Sequence, residues 1–275
     1  MKTIETVFSN LHVQGDGALI GYITAGDPAP DYTPIIASAL IKGGVDILEL
    51  GLPFSDPIAD GPTIQQASLR ALNSGTNPLT VLEIAKQISQ RHDTPIVIMT
   101  YFNPMFRMGI EKFFKTAKDS NVSGIIVPDL PVEEAHVYRK VAADFGVKTI
   151  FLAAPTTKAE RLPLIANASS GFLYLISRFG VTGATSTVQN STIQLIKRVL
   201  PYTKGRIPLA VGFGVSKPEH AKSIINAGAD GVIVGSAFVN AVSRNLANPD
   251  KMLEEIETTA RELKQAILHN AKNVP

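Results

Sequence analysis

The chain has 275 residues, of which 45% are hydrophobic and 18% are charged. This length and composition suit one barrel-sized globular domain and exclude a disordered or charged-tail protein. The 26 basic and 24 acidic side chains leave a net charge of +2, which is too balanced to indicate nucleic acid or an anionic membrane as a partner. The absence of cysteine excludes disulfides, thiolate metal sites and a cysteine nucleophile.

Neither a secretory signal nor a membrane span is expected. Residues 1–10 include Glu5 and lack the apolar core of a signal peptide. The most apolar stretch, Gly231 to Val242, is far shorter than the ~20 residues that cross a bilayer. We therefore expect a soluble protein in the cytoplasm or in an equivalent reducing compartment.

The chain repeats one arrangement, in which a short apolar run is followed by a turn and then by a longer amphipathic stretch. A helix from Ile4 to Leu11 is predicted before the first run. Most of the runs are apolar throughout, which is typical of strands that are buried on both faces. The eight predicted strands, in chain order, are Ala18–Thr24, Asp46–Leu50, Ile96–Tyr101, Gly124–Val127, Lys148–Ala153, Phe172–Ile176, Ile207–Gly212 and Gly231–Val234.

Between the strands, apolar residues recur at spacings of three, four and seven, which indicates helices with one buried face. These faces are Ile35, Ile36, Ala39 and Leu40; Phe113, Phe114 and Ala117; Ile193, Ile196, Val199 and Leu200; and Met252, Ile256, Leu263 and Ile267. Eight β–α units favour an α/β fold with a closed ring of eight parallel strands, one domain over residues 1–275 and an extra N-terminal helix. An open doubly wound sheet is the alternative. In such barrels, functional side chains lie where the strands end.

Glu49 lies inside the apolar run of the second predicted strand. Burial of an unpaired carboxylate costs several kcal/mol, so desolvation is expected to raise its pKa. A raised pKa suits a general acid near neutral pH. A structural Glu that binds a backbone amide is the alternative interpretation, and the position at a strand end favours a functional one.

Two aspartates occupy the loop that follows this strand. Asp60 lies eleven residues after Glu49, in a segment with three prolines and two glycines that can hold a carboxylate in place. Asp56 competes with it for the role of a second acidic group. Each aspartate alone is explained by turn formation, but two of them beside Glu49 concentrate negative charge around one loop.

Glycine-rich segments follow the last three predicted strands, over Ser177–Ala184, Gly212–Ser216 and Val234–Ala237. Glycine lets backbone amides approach a ligand closely, and the N-terminus of a helix favours an anion. A tight turn explains any one segment, but three at adjacent strand ends indicate a phosphate site. The small and polar stretch from Ser177 to Thr187 could close over the ligand as a lid.

The five histidines do not suggest a metal site. They fall on predicted helices or helix ends, with no pair at a ligand spacing, so we expect surface positions and no bound metal. The residues are His12, His92, His136, His220 and His269. No dinucleotide or P-loop motif follows a strand.

Several segments together resemble the tryptophan synthase alpha subunit family. The longest and most specific is Glu49–Gln65, and the others follow in order along the chain: Thr24–Pro28, Tyr101–Pro104, Pro128–Pro131, Gly180–Gly183 and Gly212–Ser216. The resemblance implies a TIM barrel that cleaves indole-3-glycerol phosphate to indole and glyceraldehyde 3-phosphate in tryptophan biosynthesis. This lyase reaction requires no cofactor in the chain itself.

The resemblance also implies roles for individual residues. Glu49 and Asp60 would be the catalytic pair, with Tyr174 beside them. Tyr22, Tyr101, Thr182 and Phe213 would bind the substrate, and Thr182 would contact Asp60 when the lid closes. The phosphate would be held by Gly183, Gly214, Gly235 and Ser236.

The family also implies a partner, a beta subunit that carries pyridoxal phosphate and receives indole. The contact surface would include Pro53, Asp56, Asn103, Pro104 and Pro131. A heterotetramer of two alpha and two beta subunits is expected.

Three other functions remain open from the sequence. One is a stand-alone lyase that releases free indole. Another is a chain that mainly binds and activates a partner, which the intact Glu49 and Asp60 disfavour. The last is an unrelated sugar-phosphate isomerase, which the absence of Lys or His at a strand end disfavours.

Overall fold

A computed structural model describes residues 2–177, 185–212 and 214–269, and for residues 185–190 it describes the backbone only. Its strands, all parallel to their neighbours, are β1 Ala18–Thr24, β2 Ile47–Gly51, β3 Ile96–Met99, β4 Val122–Ile126, β5 Lys148–Ile150, β6 Leu152–Ala153, β7 Leu173–Ile176, β8 Leu209–Gly212 and β9 Gly231–Val234.

Helices alternate with these strands. They are α1 Ile4–Gln14, α2 Tyr32–Lys42, α3 Pro62–Asn73, α4 Pro78–Ser89, α5 Phe102–Met108, α6 Ile110–Asp119, α7 His136–Asp144, α8 Leu162–Ala168, α9 Thr185–Thr203, α10 Pro218–Asn226, α11 Ser236–Arg244 and α12 Pro249–Ala266. Two short 3₁₀ turns, Val132–Glu134 and Ala159–Arg161, precede α7 and α8. None of the helices in the described residues is long and apolar enough to cross a membrane.

The sheet closes into a barrel at the fifth predicted strand, which the structure divides around Phe151. The strands follow the order β5-β4-β3-β2-β1-β9-β8-β7-β6. β5 pairs with β4, and β6 pairs with β7. Between them, the carbonyl of Phe151 accepts a hydrogen bond from the backbone of Tyr174 at 3.1 Å. The ring of eight parallel strands predicted from the sequence is therefore confirmed.

Side chains alternate between two apolar layers, as expected for a barrel. Those that point inward, such as Ile47, Val97 and Ile233, form a core inside the ring. Those that point outward, such as Leu48 and Val232, pack against the surrounding helices. Both layers are buried because the helices cover the ring, which explains the continuous apolar runs in the sequence.

One predicted helix face needs correction. Ile36, Ala39 and Leu40 of α2 are buried, but Ile35 is 46% exposed. Residues at i, i+3 and i+4 share a face, whereas the preceding position is rotated by about 100° away from it. Ile35 therefore belongs to the solvent side of α2.

The extra N-terminal helix closes the bottom of the barrel. The side chain of Thr3 caps α1 by accepting a hydrogen bond from the Thr6 amide at 3.1 Å. Ile4 and Phe8 point into the inner core, and the rings of Phe8 and Phe172 lie 5.9 Å apart. An ion pair of 2.6 Å between Glu5 and Lys148 ties α1 to β5.

We expect Phe8→Ala to destabilise the protein by about 3–5 kcal/mol, because it leaves a cavity at the base of the inner core. Urea unfolding followed by circular dichroism measures this change. Val13→Ala on the same helix is the control, since Val13 is 84% exposed. Equal unfolding midpoints for the two variants would show that α1 does not support the barrel.

Candidate active site

A cavity of about 420 Å³ opens at the C-terminal ends of the strands, and we call it the mouth cavity. It combines acidic, aromatic, apolar and glycine residues from several strands and loops. Its lining consists of Tyr22, Glu49, Ala59, Asp60, Gly61, Pro62, Thr63, Ile64, Met99, Pro128, Leu152, Ala154, Tyr174, Ile176, Gly214, Ile233, Gly235 and Ser236. This is the end of the barrel where enzymes of this architecture bind substrates.

Glu49 is a buried acid without a hydrogen-bond partner among the described residues. It lies in β2 opposite Tyr22 of β1 and Val97 of β3, and it is 1% exposed. Neither carboxyl oxygen accepts a hydrogen bond from the described part of the chain. Burial, together with the negative charge of Asp60, raises the pKa of Glu49 to about 8. Glu49 therefore holds a proton at neutral pH and points it into the mouth cavity.

Asp60 reaches the same cavity from the loop between β2 and α3. Burial raises its pKa to about 6, while a hydrogen bond from the Tyr101 hydroxyl opposes that rise. Asp60 is therefore mostly ionised at neutral pH, when Glu49 is mostly protonated. Asp56, the competing residue, is exposed and does not line the cavity.

Tyr101 holds the loop that carries Asp60. Its hydroxyl accepts a hydrogen bond from the Ala59 amide at 2.9 Å and also bonds to the carboxylate of Asp60. The start of α5 beside it is fixed by Asp129, which accepts a hydrogen bond from the Phe102 amide at 2.9 Å. Tyr101 was expected to bind substrate, but it is not among the described residues that line the cavity. Its position suits orientation of Asp60.

Two further contacts, one to this loop and one to the helix α3 that follows it, were not found from the sequence. The amide of Gln65 donates to the backbone carbonyl of Asp60 at 2.9 Å. Arg70, on the same helix α3, forms two hydrogen bonds of 2.7 and 2.8 Å with the buried carboxylate of Asp27 in the loop after β1. Gln65 was visible as a polar residue in the first turn after Asp60. The pairing of Asp27 with Arg70 joins residues 43 positions apart, and no local pattern indicates it.

Tyr22 and Tyr174 form two aromatic walls of the mouth cavity, and each packs against a glycine of the neighbouring strand. A Cβ atom on Gly51 would lie 2.1 Å from the Tyr22 hydroxyl, and one on Gly212 would lie 2.7 Å from the Tyr174 hydroxyl. Burial raises the pKa of both phenols well above the ordinary value. The nearby charge that adds most to this rise is Asp60 for Tyr22 and Glu49 for Tyr174.

Three further residues of the cavity lining suit an anion. They are Gly214, Gly235 and Ser236, and Gly235 precedes the nine-residue helix α11. Backbone amides at the start of that helix provide a favourable field for phosphate. Thr182, Gly183 and Phe213, together with most of the predicted lid, lie outside the described residues.

The residues expected at a partner surface differ in exposure. Asp56, Asn103 and Pro131 are exposed, and Pro104 is partly buried. Pro53 is buried within the chain, so its side chain has little surface to offer a partner.

Two exposed apolar side chains near these residues were not singled out from the sequence, one in the loop after β2 and one in α5. They are Ile58, which is 85% exposed, and Phe106, which is 61% exposed. Ile58 follows the turn-forming Pro57, whereas nothing in the sequence around Phe106, inside α5, indicates that its side chain is exposed.

No cluster of His, Cys, Asp or Glu that could hold a metal ion occurs in the part of the chain that the structure describes.

Comparison with known proteins decides the family. A family model described as "Tryptophan synthase alpha chain" matches residues 8–268. The chain belongs to this family. The tryptophan synthase alpha chain of Methanoregula boonei is 46% identical over 97% of this chain and 98% of its own length. That of Methanosarcina mazei is 48% identical over 96% of this chain and 94% of its own length.

Solved structures agree with this assignment. Tryptophan synthase subunit alpha from Legionella pneumophila superposes with a TM-score of 0.86 at 35% identity, covering 97% of this chain and 98% of that one. A chain of the tryptophan synthase complex from Pyrococcus furiosus gives a TM-score of 0.82 at 41% identity, covering 90% and 98%. The barrel of the tryptophan synthase alpha family is thus shared over nearly the whole chain.

We expect Tyr101→Phe to raise the pKa of Asp60 above about 6, by roughly one pH unit, because the ionised carboxylate loses a hydrogen-bond donor. Carboxyl-labelled NMR across a pH titration measures this midpoint. Tyr138→Phe is the matched control, since that buried hydroxyl donates to the Ile125 carbonyl away from the site. An unchanged Asp60 midpoint in Tyr101→Phe would exclude the proposed support.

Proposed function

We propose that this chain cleaves indole-3-glycerol phosphate by a retro-aldol reaction, giving indole and glyceraldehyde 3-phosphate. Glu49 carries this proposal, because a buried carboxyl group with a pKa of about 8 and no partner among the described residues is built to transfer a proton. Membership of the tryptophan synthase alpha family supports the choice of substrate.

The reaction needs a proton at the indole carbon that bears the glycerol side chain. Glu49, protonated at neutral pH, donates it, and the resulting carboxylate then accepts the proton of the side-chain hydroxyl. As that hydroxyl becomes a carbonyl, the carbon–carbon bond breaks and its electron pair restores the aromatic ring. Glu49 regains its proton, so the cycle balances without a cofactor.

Asp60 acts on the other side of the ring in this proposal. Protonation of the ring carbon places positive charge on the indole nitrogen, and an ionised carboxylate near that N–H stabilises the charge as it develops. The split between a pKa of about 8 for Glu49 and about 6 for Asp60 gives the two groups opposite protonation states at neutral pH. Acid and anion can then act together.

The remaining walls of the mouth cavity match the rest of the substrate. Tyr22 and Tyr174 would flank the flat indole ring, with Tyr174 next to Glu49. Gly214, Gly235 and Ser236 at the start of α11 would bind the phosphate, joined by Gly183. Thr182 and Phe213 complete the proposal as lid and ring contacts.

We further propose that the chain works with a pyridoxal-phosphate beta subunit, to which it passes indole, in a complex of two alpha and two beta subunits. The relative from Pyrococcus furiosus belongs to a structure described as a tryptophan synthase complex. The exposed Asp56, Asn103 and Pro131, together with Ile58 and Phe106, offer a mixed polar and apolar surface beside the mouth cavity. Such a surface is typical of a protein interface.

Glu49→Gln tests the proposed function directly. We expect indole release from indole-3-glycerol phosphate to fall by about 10²–10⁴-fold, because the amide cannot donate and regain the proton. Initial rates with and without beta subunit measure this loss. Glu111→Gln on the exposed face of α6 is the matched control. A Glu49→Gln variant as active as the control would exclude the acid role, and an inactive wild type in both assays would exclude the reaction.

The pH dependence gives an independent test. Because Glu49 must be protonated, kcat/KM should fall as the pH rises above about 8, and because Asp60 must be ionised, it should fall below about pH 6. In Asp60→Asn the acidic limb should disappear. The alkaline limb should move to lower pH, since the negative charge that raises the pKa of Glu49 is gone. A profile of unchanged shape in Asp60→Asn would contradict this coupling.

A further inference from the structure

Gly51 is the last residue of β2 and lies two positions beyond Glu49, on the same inward face. Its register partner on β1 is Thr24, and Tyr22 lies opposite Glu49. The Tyr22 side chain leans along the strands into the space above Gly51. A Cβ atom there would lie 2.1 Å from the hydroxyl oxygen and 2.6 and 2.7 Å from two ring carbons. No side chain other than hydrogen fits at this position while Tyr22 keeps its place.

The Tyr22 ring has backbone on its other side as well. A Cβ atom on Gly235, at the end of β9, would lie 3.1 Å from the ring. The hydroxyl is held at 3.3 Å from the Thr24 hydroxyl. With β2 and β9 on either side, the ring also lines the mouth cavity. A ring displaced from Gly51 therefore has the space available to a ligand to move into.

We propose that Gly51 is a positioning residue of the active site. Because it lacks a side chain, the Tyr22 ring packs directly against β2, and the mouth cavity stays open to a flat bicyclic ring. This inference deepens the proposed function and rests on it for the identity of the ligand. The contact itself, between Gly51 and Tyr22, is independent of the reaction.

The contact between Gly51 and Tyr22 also predicts that a small change at Gly51 has a large effect on activity. To reach an ordinary contact distance of 3.4 Å from a new Cβ atom, the hydroxyl must move about 1.3 Å from its present 2.1 Å. Misplacement of about 1 Å in an active site can reduce a rate by 10²-fold. We therefore expect Gly51→Ala to lower kcat/KM by about 100-fold.

A double-mutant cycle with Tyr22→Leu separates this mechanism from a general loss of structure. Tyr22→Leu removes the hydroxyl and the ring atoms that meet the new Cβ, so adding Gly51→Ala to it should reduce kcat/KM by no more than about threefold further. Tyr22→Phe, which removes the hydroxyl and keeps the ring, should relieve only part of the loss. Equal losses from Gly51→Ala in the wild-type and Tyr22→Leu backgrounds would overturn the proposal.

Gly21→Ala is the matched control for a glycine inside a strand. Its Cβ would point outward and meet a methyl group of the buried Val45 at 2.9 Å, away from the mouth cavity. We expect it to lower the melting temperature without changing kcat/KM. If Gly51→Ala does not fold, the double variant with Tyr22→Leu should recover folding. If neither variant folds, the defect arises from a clash with a residue other than Tyr22, and the proposal is refuted.

A failure of the proposed function can be distinguished from a failure of this inference. If the wild-type protein releases no indole, the reaction is excluded, but the contact between Gly51 and Tyr22 can still be tested by NMR of protein labelled at its six tyrosines. The Tyr22 ring signals should shift in Gly51→Ala and stay unchanged in Gly21→Ala. Unchanged Tyr22 ring signals in Gly51→Ala would refute the proposal, whatever the substrate is.

Discussion

The site depends on one costly arrangement, a carboxyl group sealed inside the barrel without a hydrogen bond from any described residue. Removal of an ionised Glu49 from water would cost several kcal/mol, so the group keeps its proton instead. The nearby charge of Asp60 strengthens this effect, because two carboxylates in one cavity resist ionising together. A rigid ring of strands can hold the acid there, since β2 is paired on both sides and its residues around Glu49 are fully buried.

The two acids reach different protonation states because they sit on different kinds of structure. Glu49 projects from a strand into the inside of the barrel, where no described residue donates a hydrogen bond to it. Asp60 projects from a loop, where the Tyr101 hydroxyl bonds to it and Gln65 fixes its backbone. A donor stabilises the ionised form of Asp60, and its absence destabilises that of Glu49. The contrast between strand and loop therefore becomes a division between acid and anion.

Sequence periodicity was sufficient to predict the barrel and to single out Glu49 as a candidate, because both signals are local. Five residues are enough to show that Glu49 interrupts an apolar run, and the eight apolar runs together predict the ring. Ile35 was assigned to the wrong face because, of two adjacent isoleucines in a helix, the residue type alone does not show which one points to the core. The support of Asp60 by Tyr101, and of α3 by Asp27 and Arg70, joins segments about 40 residues apart. Those contacts depend on how strands pair around the ring, which no single segment encodes.

The glycines at strand ends illustrate the same limit. From the sequence, a glycine after an apolar strand predicts a turn or an anion cradle, and Gly214 and Gly235 are among the lining residues of the cavity that suit phosphate. Gly51 and Gly212 instead lie beneath tyrosine rings of adjacent strands. Both uses follow from the missing Cβ, which lets either a ligand or a neighbouring ring approach the backbone. The difference lies in the residue that faces each glycine across the sheet. Where that residue is a tyrosine, a side chain on the glycine would push the ring into the cavity, so the open cavity depends on the missing side chain.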